Sequence, residues 1–224
     1  MKAPREGHRE RLRKRYLQGG IRAFSDRDVL ELLLTYALPR KDTRDLAHQL
    51  LERFGGLHGV LSQPPAMLQT VEGVGPAASV LLNMVTAAAA RSLRPEKGAR
   101  IIDSPEGVRK YLEASMGTLR KERLMAILLD SSNRLISECS LEFGTVDRAS
   151  VHPRNLLEKI ISTGATAVIL VHNHPGGARK PSREDIDLTR RLSELGRSLG
   201  FRVLDHMIVA DGETLSLREE GLFS

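Results

Sequence analysis

The 224-residue chain contains no tryptophan, one cysteine and only 4% aromatic residues. A single thiol, Cys139, cannot form an internal disulfide framework and suits a reducing compartment, so a cytoplasmic protein is expected. Cys139 itself reads as a small, at least half-buried side chain. Zinc chemistry of the deaminase type is excluded as well, because it needs a Cys-x-x-Cys pair. No run approaches the eighteen or so unbroken apolar residues of a membrane span. The longest apolar stretch, 77–90, is interrupted by Ser79, Asn83 and Thr86, and its alanines read as a packed helix. The start of the chain is basic and lacks the apolar core of a secretory signal. Neither internal repeats nor low-complexity tracts are evident. With 41% hydrophobic residues the chain can still build real cores, and its length suits two modest domains.

Charge separates those two halves. Residues 1–100 carry 17 Lys and Arg against 10 Asp and Glu, a net of +7, whereas residues 101–224 carry 17 against 18, a net of −1. The polar run Arg94-Pro95-Glu96-Lys97-Gly98-Ala99-Arg100 lies between them and reads as a linker. The expected organisation is a helical domain over 1–95 and an α/β domain over 101–224.

The first half reads as helices over 5–17, 26–37, 43–54 and 76–94. Before the last comes Glu72-Gly73-Val74-Gly75-Pro76, a Gly-x-Gly turn leading into a helix opened by proline. It resembles the helix-hairpin-helix motif, in which amides at a helix start contact a nucleic-acid phosphate without reading sequence. Many such hairpins place a cation directly after the second glycine, whereas this chain has Pro76-Ala77-Ala78. Neutralisation would then fall to the basic cluster of Arg9, Arg11, Arg13, Lys14 and Arg15. Gly73, Gly75, Arg11, Arg13, Lys14 and Arg15 are therefore candidate DNA contacts; a packing hairpin beside a solvated basic face is the competing explanation.

The second half reads as helix (105–115), strand (124–130), strand (134–142), helix (153–162), strand (167–172), helix (183–199), strand (202–210) and a short strand near Leu215. Its most informative stretch is His172-Asn173-His174-Pro175-Gly176-Gly177, directly after the apolar run Ala167 to Val171. Side chains alternate along a strand, so His172 and His174 emerge on one side. Pro181-Ser182 then opens an amphipathic helix with Asp185 in its first turn. Two imidazoles and a carboxylate make a three-ligand zinc site with a position open for water, as catalysis requires. Ser182 and Asp185, three apart, also fit a capping box, a device of ordinary helix starts.

The spacing His-x-His, seven residues, Ser, two residues, Asp resembles the signature of the JAMM (MPN-plus) zinc metallopeptidases. With His172-Asn173-His174-Pro175 and Pro181-Ser182 the chain resembles their bacterial RadC branch, over essentially its whole length. That resemblance implies an MPN-type domain with a mixed sheet flanked by helices, and one Zn2+ held by His172, His174 and Asp185. It implies Glu122, just before the first strand, as the general base that activates water and returns the proton to the leaving amine. It implies Ser182 as the hydrogen-bond donor to the oxyanion. Glu138 and Glu142 are weaker contenders for the base, and a solvated charge at a strand start is the plain alternative for Glu122.

His152, Asp205 and His206 could line the cleft or steady a ligand histidine, with an ordinary structural hydrogen bond equally open. A peptide or protein substrate is expected, with DNA as a partner through the basic half and no membrane. Two alternatives stay open: a DNA-repair-linked nuclease using the same metal, and a non-catalytic DNA-binding factor.

Overall fold

The computed structural model describes residues 7–39, 41–103, 105–141 and 153–223. The chain divides into two compact units, residues 1–88 and 89–224. In the first, α1 (His8–Gly19), α2 (Asp26–Ala37) and α3 (Arg44–Phe54) are followed by two short helices, α4 (Leu57–Leu61) and α5 (Pro65–Leu68), and by the start of α6 (Pro76–Leu93). The sequence predicts neither α4 nor α5, since five and four residues are too short to show a helical period and both lie among Gly and Pro. A capping box starts α2, with the Ser25 side chain accepting from the Asp28 amide and the Asp28 carboxylate accepting from the Ser25 amide at 3.0 Å. Leu30, Leu34, Leu46, Leu50, Val60, Leu68, Val74 and Leu82 fill the core of this unit.

The second unit is a five-stranded mixed sheet between helices. Its strands are β1 (Arg123–Leu129), β2 (Leu135–Leu141), β3 (Ala167–Asn173), β4 (Arg202–Ala210) and β5 (Glu213–Ser216), in the spatial order β2-β1-β3-β4-β5. β1 runs antiparallel to both β2 and β3, β3 and β4 are parallel, and β5 returns antiparallel to β4. A parallel pair needs a crossover, here α9 (Arg183–Leu199). The other helices are α7 (Pro105–Met116) and α8 (Pro153–Thr163).

Alternation along the strands splits the core in two. Met125, Ile127, Leu129, Ile169, Val171 and Val209 pack with Val108, Tyr111 and Leu112 of α7. Leu124, Ala126, Leu128, Val168 and Leu170 pack with Leu156 and Ile160 of α8 and Leu192 of α9. Apolar side chains are thus needed on both faces, which explains why β1 and β3 read as continuous hydrophobic runs and not as alternating ones.

This second face carries the site. The register Leu124↔His172 and Leu170↔His206 puts both histidines on the side of Leu124 and Leu170, beneath α9.

Candidate metal centre

The end of β3 is where buried polar side chains gather: His172, Asn173, Asp185, Thr189 and His206 are all buried in an otherwise apolar interior. Polar groups in such surroundings persist only with partners, so each can be followed to its own. Ser182 is the N-cap of α9 and closes a capping box with Asp185: its hydroxyl accepts from the Asp185 amide at 3.0 Å, and its own amide donates to Asp185 Oδ2 at 2.8 Å. The Ser182 hydroxyl also donates to the same oxygen at 2.6 Å. That fixes the carboxylate at the helix start, aimed at the strand end.

Both histidines of the His-x-His pair meet this carboxylate. His172 Nδ1 lies 2.7 Å from Asp185 Oδ1, and His174 Nε2 lies 3.3 Å from Asp185 Oδ2. Their rings stand edge to face with centroids 4.8 Å apart. Burial alone would raise the Asp185 pKa, but hydrogen bonds from His172 and Ser182 outweigh it and hold the carboxyl well below the usual range.

The loop between the ligands and α9 sets the tautomer of His174. Its Nδ1 lies 2.8 Å from the Ala178 carbonyl, which can only accept, so the ring donates there and a neutral His174 carries its lone pair on Nε2. Gly177 allows this turn, with φ at +75° and an amide donating to the His174 carbonyl at 3.1 Å. A lone pair on His174 Nε2 then points toward a carboxylate oxygen, an arrangement that repels unless a cation lies between them or the ring takes a second proton. The donor set of imidazole nitrogen and carboxylate oxygen is that of a zinc site, so the residues present fit the ion implied by the sequence.

His206, which the sequence leaves between a supporting and a plain structural role, proves to be fully buried and part of this cluster. One ligand atom each from His172, Asp185 and His206 fall within 4.8 Å of one another, and the His206 ring lies nearly parallel to that of His172. Burial pushes its pKa down to about 4, so the ring is neutral at neutral pH. Its sequence neighbour Asp205, on the other side of the strand, is structural. It accepts from the His206 amide, the Ser216 hydroxyl and the Arg218 amide at 2.7, 2.6 and 3.2 Å, tying β4 to the segment after β5.

The candidate bases separate clearly. Glu138 pairs in register with Ile127 and so faces α7, away from the histidines; it accepts from Tyr111 Oη at 2.9 Å and pairs with Arg94 at 3.0 Å. Glu142 and His152 lie outside the described residues. Glu122 is exposed, one residue before β1, and its carboxylate has no hydrogen bond or ion pair among the described residues. Since Arg123 pairs with Asn173, continuing that antiparallel register by one residue puts Glu122 opposite His174. The structure does not bring its carboxylate into contact with His172, His174 or Asp185.

What positions Glu122 is Asn173, a residue that the sequence does not single out. Its Oδ1 accepts from the Arg123 amide at 2.8 Å, while its Nδ2 donates to the carbonyls of Lys121 and Leu119 at 3.1 and 3.3 Å. The side chain between the two histidines therefore grips the backbone on both sides of Glu122. Asn173→Ala should destabilise the second unit by about 1–3 kcal/mol through the polar groups left unpaired. Urea unfolding of the variant beside the wild type would show the loss.

In the first unit, two of the candidate DNA contacts also serve inside the fold. Arg15 pairs with Asp28 at 2.5 Å and stands over the Phe24 ring, and Arg13 stands over the Tyr36 ring. Arg9 caps the end of α2 through the carbonyls of Pro39, Leu38 and Lys41. Arg11 and Lys14 are exposed or nearly so on the same helix. Gly73 adopts φ of +94° in the loop between α5 and α6, and Gly75 directly precedes Pro76. A cavity of about 960 Å³ is lined by residues such as Arg109, Leu204 and Phe223 and by none of His172, His174 and Asp185.

Two family models match the chain. A family model described as RadC-like JAB domain matches residues 102–222, and one described as UPF0758 N-terminal matches residues 6–80. A UPF0758 protein of Rhodobacter capsulatus is 40% identical over 212 residues, covering 94% of this chain and 99% of that protein. One of Ruegeria pomeroyi is 38% identical over 215 residues, covering 96% of each. One of Desulforudis audaxviator is 38% identical over 214 residues, covering 95% of this chain and 93% of its own.

Proposed function

Because this chain belongs to the RadC-like JAB family, we propose that it is a zinc-dependent hydrolase of JAMM type, cutting a peptide or isopeptide bond in a protein substrate. The observation that supports this most is the meeting of His172, His174 and Asp185 at one helix-capped strand end. Zinc bound there supplies Lewis acidity, making water a nucleophile near neutral pH and polarising the carbonyl under attack. His172, His174 and Asp185 hold the ion, and their fixed geometry removes the cost of arranging it during reaction. Glu122, whose carboxylate has no partner among the described residues and whose flanking backbone is held by Asn173, would accept the proton of the attacking water and deliver it to the leaving amine.

Ser182 has two duties that compete. Its hydroxyl has one proton, which here goes to Asp185 Oδ2. To steady the oxyanion of a tetrahedral intermediate it must turn from that oxygen toward the substrate. The amide bonds of the capping box hold the helix start in place while it does so. We place the protein in the cytoplasm, on its single thiol; no helix among the described residues is long and apolar enough to cross a membrane.

A second reading, hydrolysis in a DNA-bound setting, is favoured by one observation, the net charge of +7 confined to residues 1–100. Both readings are tested by offering the purified protein a peptide library, isopeptide-linked conjugates, and branched and single-stranded DNA. We expect cleavage of amide bonds alone, lost in His174→Ala, together with DNA binding that weakens by more than about tenfold between roughly 50 and 200 mM salt. Cleavage of DNA alone, lost in the same variant, would replace the peptidase reading with a nuclease. Binding indifferent to salt would remove DNA from the account.

A further inference from the structure

The sequence motif provides two histidines for the metal, yet the structure contains a third whose every feature suits ligation. His206 comes from β4, 32 positions beyond His174, and reaches the cluster because β3 and β4 are parallel neighbours with Leu170 paired to His206. Its Nδ1 lies 2.7 Å from Thr189 Oγ1. The threonine hydroxyl has one proton and donates it to the Asp185 carbonyl at 2.6 Å, one helical turn back along α9. Thr189 can then only accept from the ring, so the proton of the neutral imidazole is on Nδ1 and the lone pair is on Nε2. That Nε2 is fully buried and has no hydrogen-bond partner among the described residues.

A buried acceptor without a donor costs free energy with no structural return. An imidazole whose Nδ1–H is tied to an oxygen acceptor and whose Nε2 is bare is how proteins present histidine to a metal. His174 is arranged in the same way, with its Nδ1 on the Ala178 carbonyl. The Thr189 link also joins His206 to the backbone of Asp185, so the third imidazole and the carboxylate are positioned by one helical turn.

We propose that His206 Nε2 is a protein ligand of the metal, entering from the floor of the site, and that Thr189 fixes its tautomer for that purpose. This rests on the zinc reading above and adds to it: with a fourth protein ligand present, water would need a fifth position on the ion, an expansion that zinc makes in catalytic sites. The ion is then held by ligands from β3, α9 and β4, and its coordination ties the two parallel strands to their crossover helix. Thr189 is a positioning residue, acting only through His206.

The direct test uses the wild-type chain, without substitution. With the imidazole nitrogens labelled with ¹⁵N, two-bond ¹H–¹⁵N spectra of the full-length protein are recorded while zinc alone is titrated into metal-free samples. His206 should begin with a bare Nε2 and a protonated Nδ1. On addition of one equivalent of zinc, its Nε2 resonance should move from the free-acceptor to the metal-bound region, together with those of the other ligands.

In parallel, His206→Asn retains an amide able to bond Thr189 in place of Nδ1 while deleting Nε2. It should weaken zinc binding by at least about a hundredfold in chelator competition, the upper range expected for a mere supporting partner. Thr189→Val should weaken it less and should broaden or split the His206 resonances as the tautomer is released. One zinc bound tightly with the His206 Nε2 resonance unmoved would overturn the inference and leave the zinc reading intact. A wild type that takes up no zinc would end both.

Discussion

Glu122→Gln is expected to bind zinc as the wild type does and to lose about 10²–10⁴-fold in turnover, the usual contribution of a positioned general base. Glutamine keeps the shape of the side chain and removes only its capacity to accept a proton. Stability should be unchanged, because Glu122 is exposed and its carboxylate has no partner among the described residues to lose. The combination is diagnostic. A structural carboxylate would alter stability, and a ligand would alter metal content, whereas a base alters neither. Zinc titration, urea unfolding and kinetics on one preparation would check all three, and undiminished turnover would return Glu122 to the solvated charge at a strand start that its sequence context also allows.

Asp185→Ala should fail in two ways at once. The carboxylate is the oxygen ligand offered to the metal and also half of the α9 capping box. Removing it should weaken zinc binding severely, leaving only imidazole ligands, and hydrolysis should fall with it. Loss of its half of the capping box should cost up to about 1 kcal/mol, since Ser182 still caps the residue-185 amide, and the hydrogen bond from His172 is lost as well. Asp185→Asn separates the effects: the amide oxygen can still accept at the cap, so stability should largely recover while zinc binding does not. A variant that binds zinc as tightly as the wild type after either change would remove Asp185 from the ligand set.

How much of this could be read beforehand depended on whether the signal was local in sequence. The helix over 26–37 was legible because Ser25 caps it and Leu30 and Leu34 repeat at the helical period; α9 was legible for the same reasons, with Ser182 as cap and Gly200 as stop. The His-x-His pair and Asp185 lie thirteen residues apart at most, within one strand-loop-helix unit, so their meeting follows from alternation and helix phase. His206 is different. Nothing within its own segment distinguishes it from any buried polar residue on a strand, and only the parallel pairing of β3 with β4 brings it beneath Asp185.

One local clue exists: Thr189 falls one helical turn after Asp185, on the same face of α9. Asn173 was hidden by the opposite cause: it sits inside the motif, on the face away from the histidines, and its three backbone partners lie 50 to 54 positions earlier in the chain. The two short helices α4 and α5 left no periodic trace at all.

On the proposed reading this chain carries one metal ion on which its hydrolytic activity depends. Zinc titrated into chelator-stripped full-length protein, followed calorimetrically and by hydrolysis of a responsive amide substrate in the same samples, tests it most directly. Saturation is expected at about one equivalent per chain, with activity rising from background in proportion to occupancy, and both responses strongly weakened in His172→Ala. Full hydrolysis by the stripped protein, or zinc taken up equally well by the His172 variant, would contradict it.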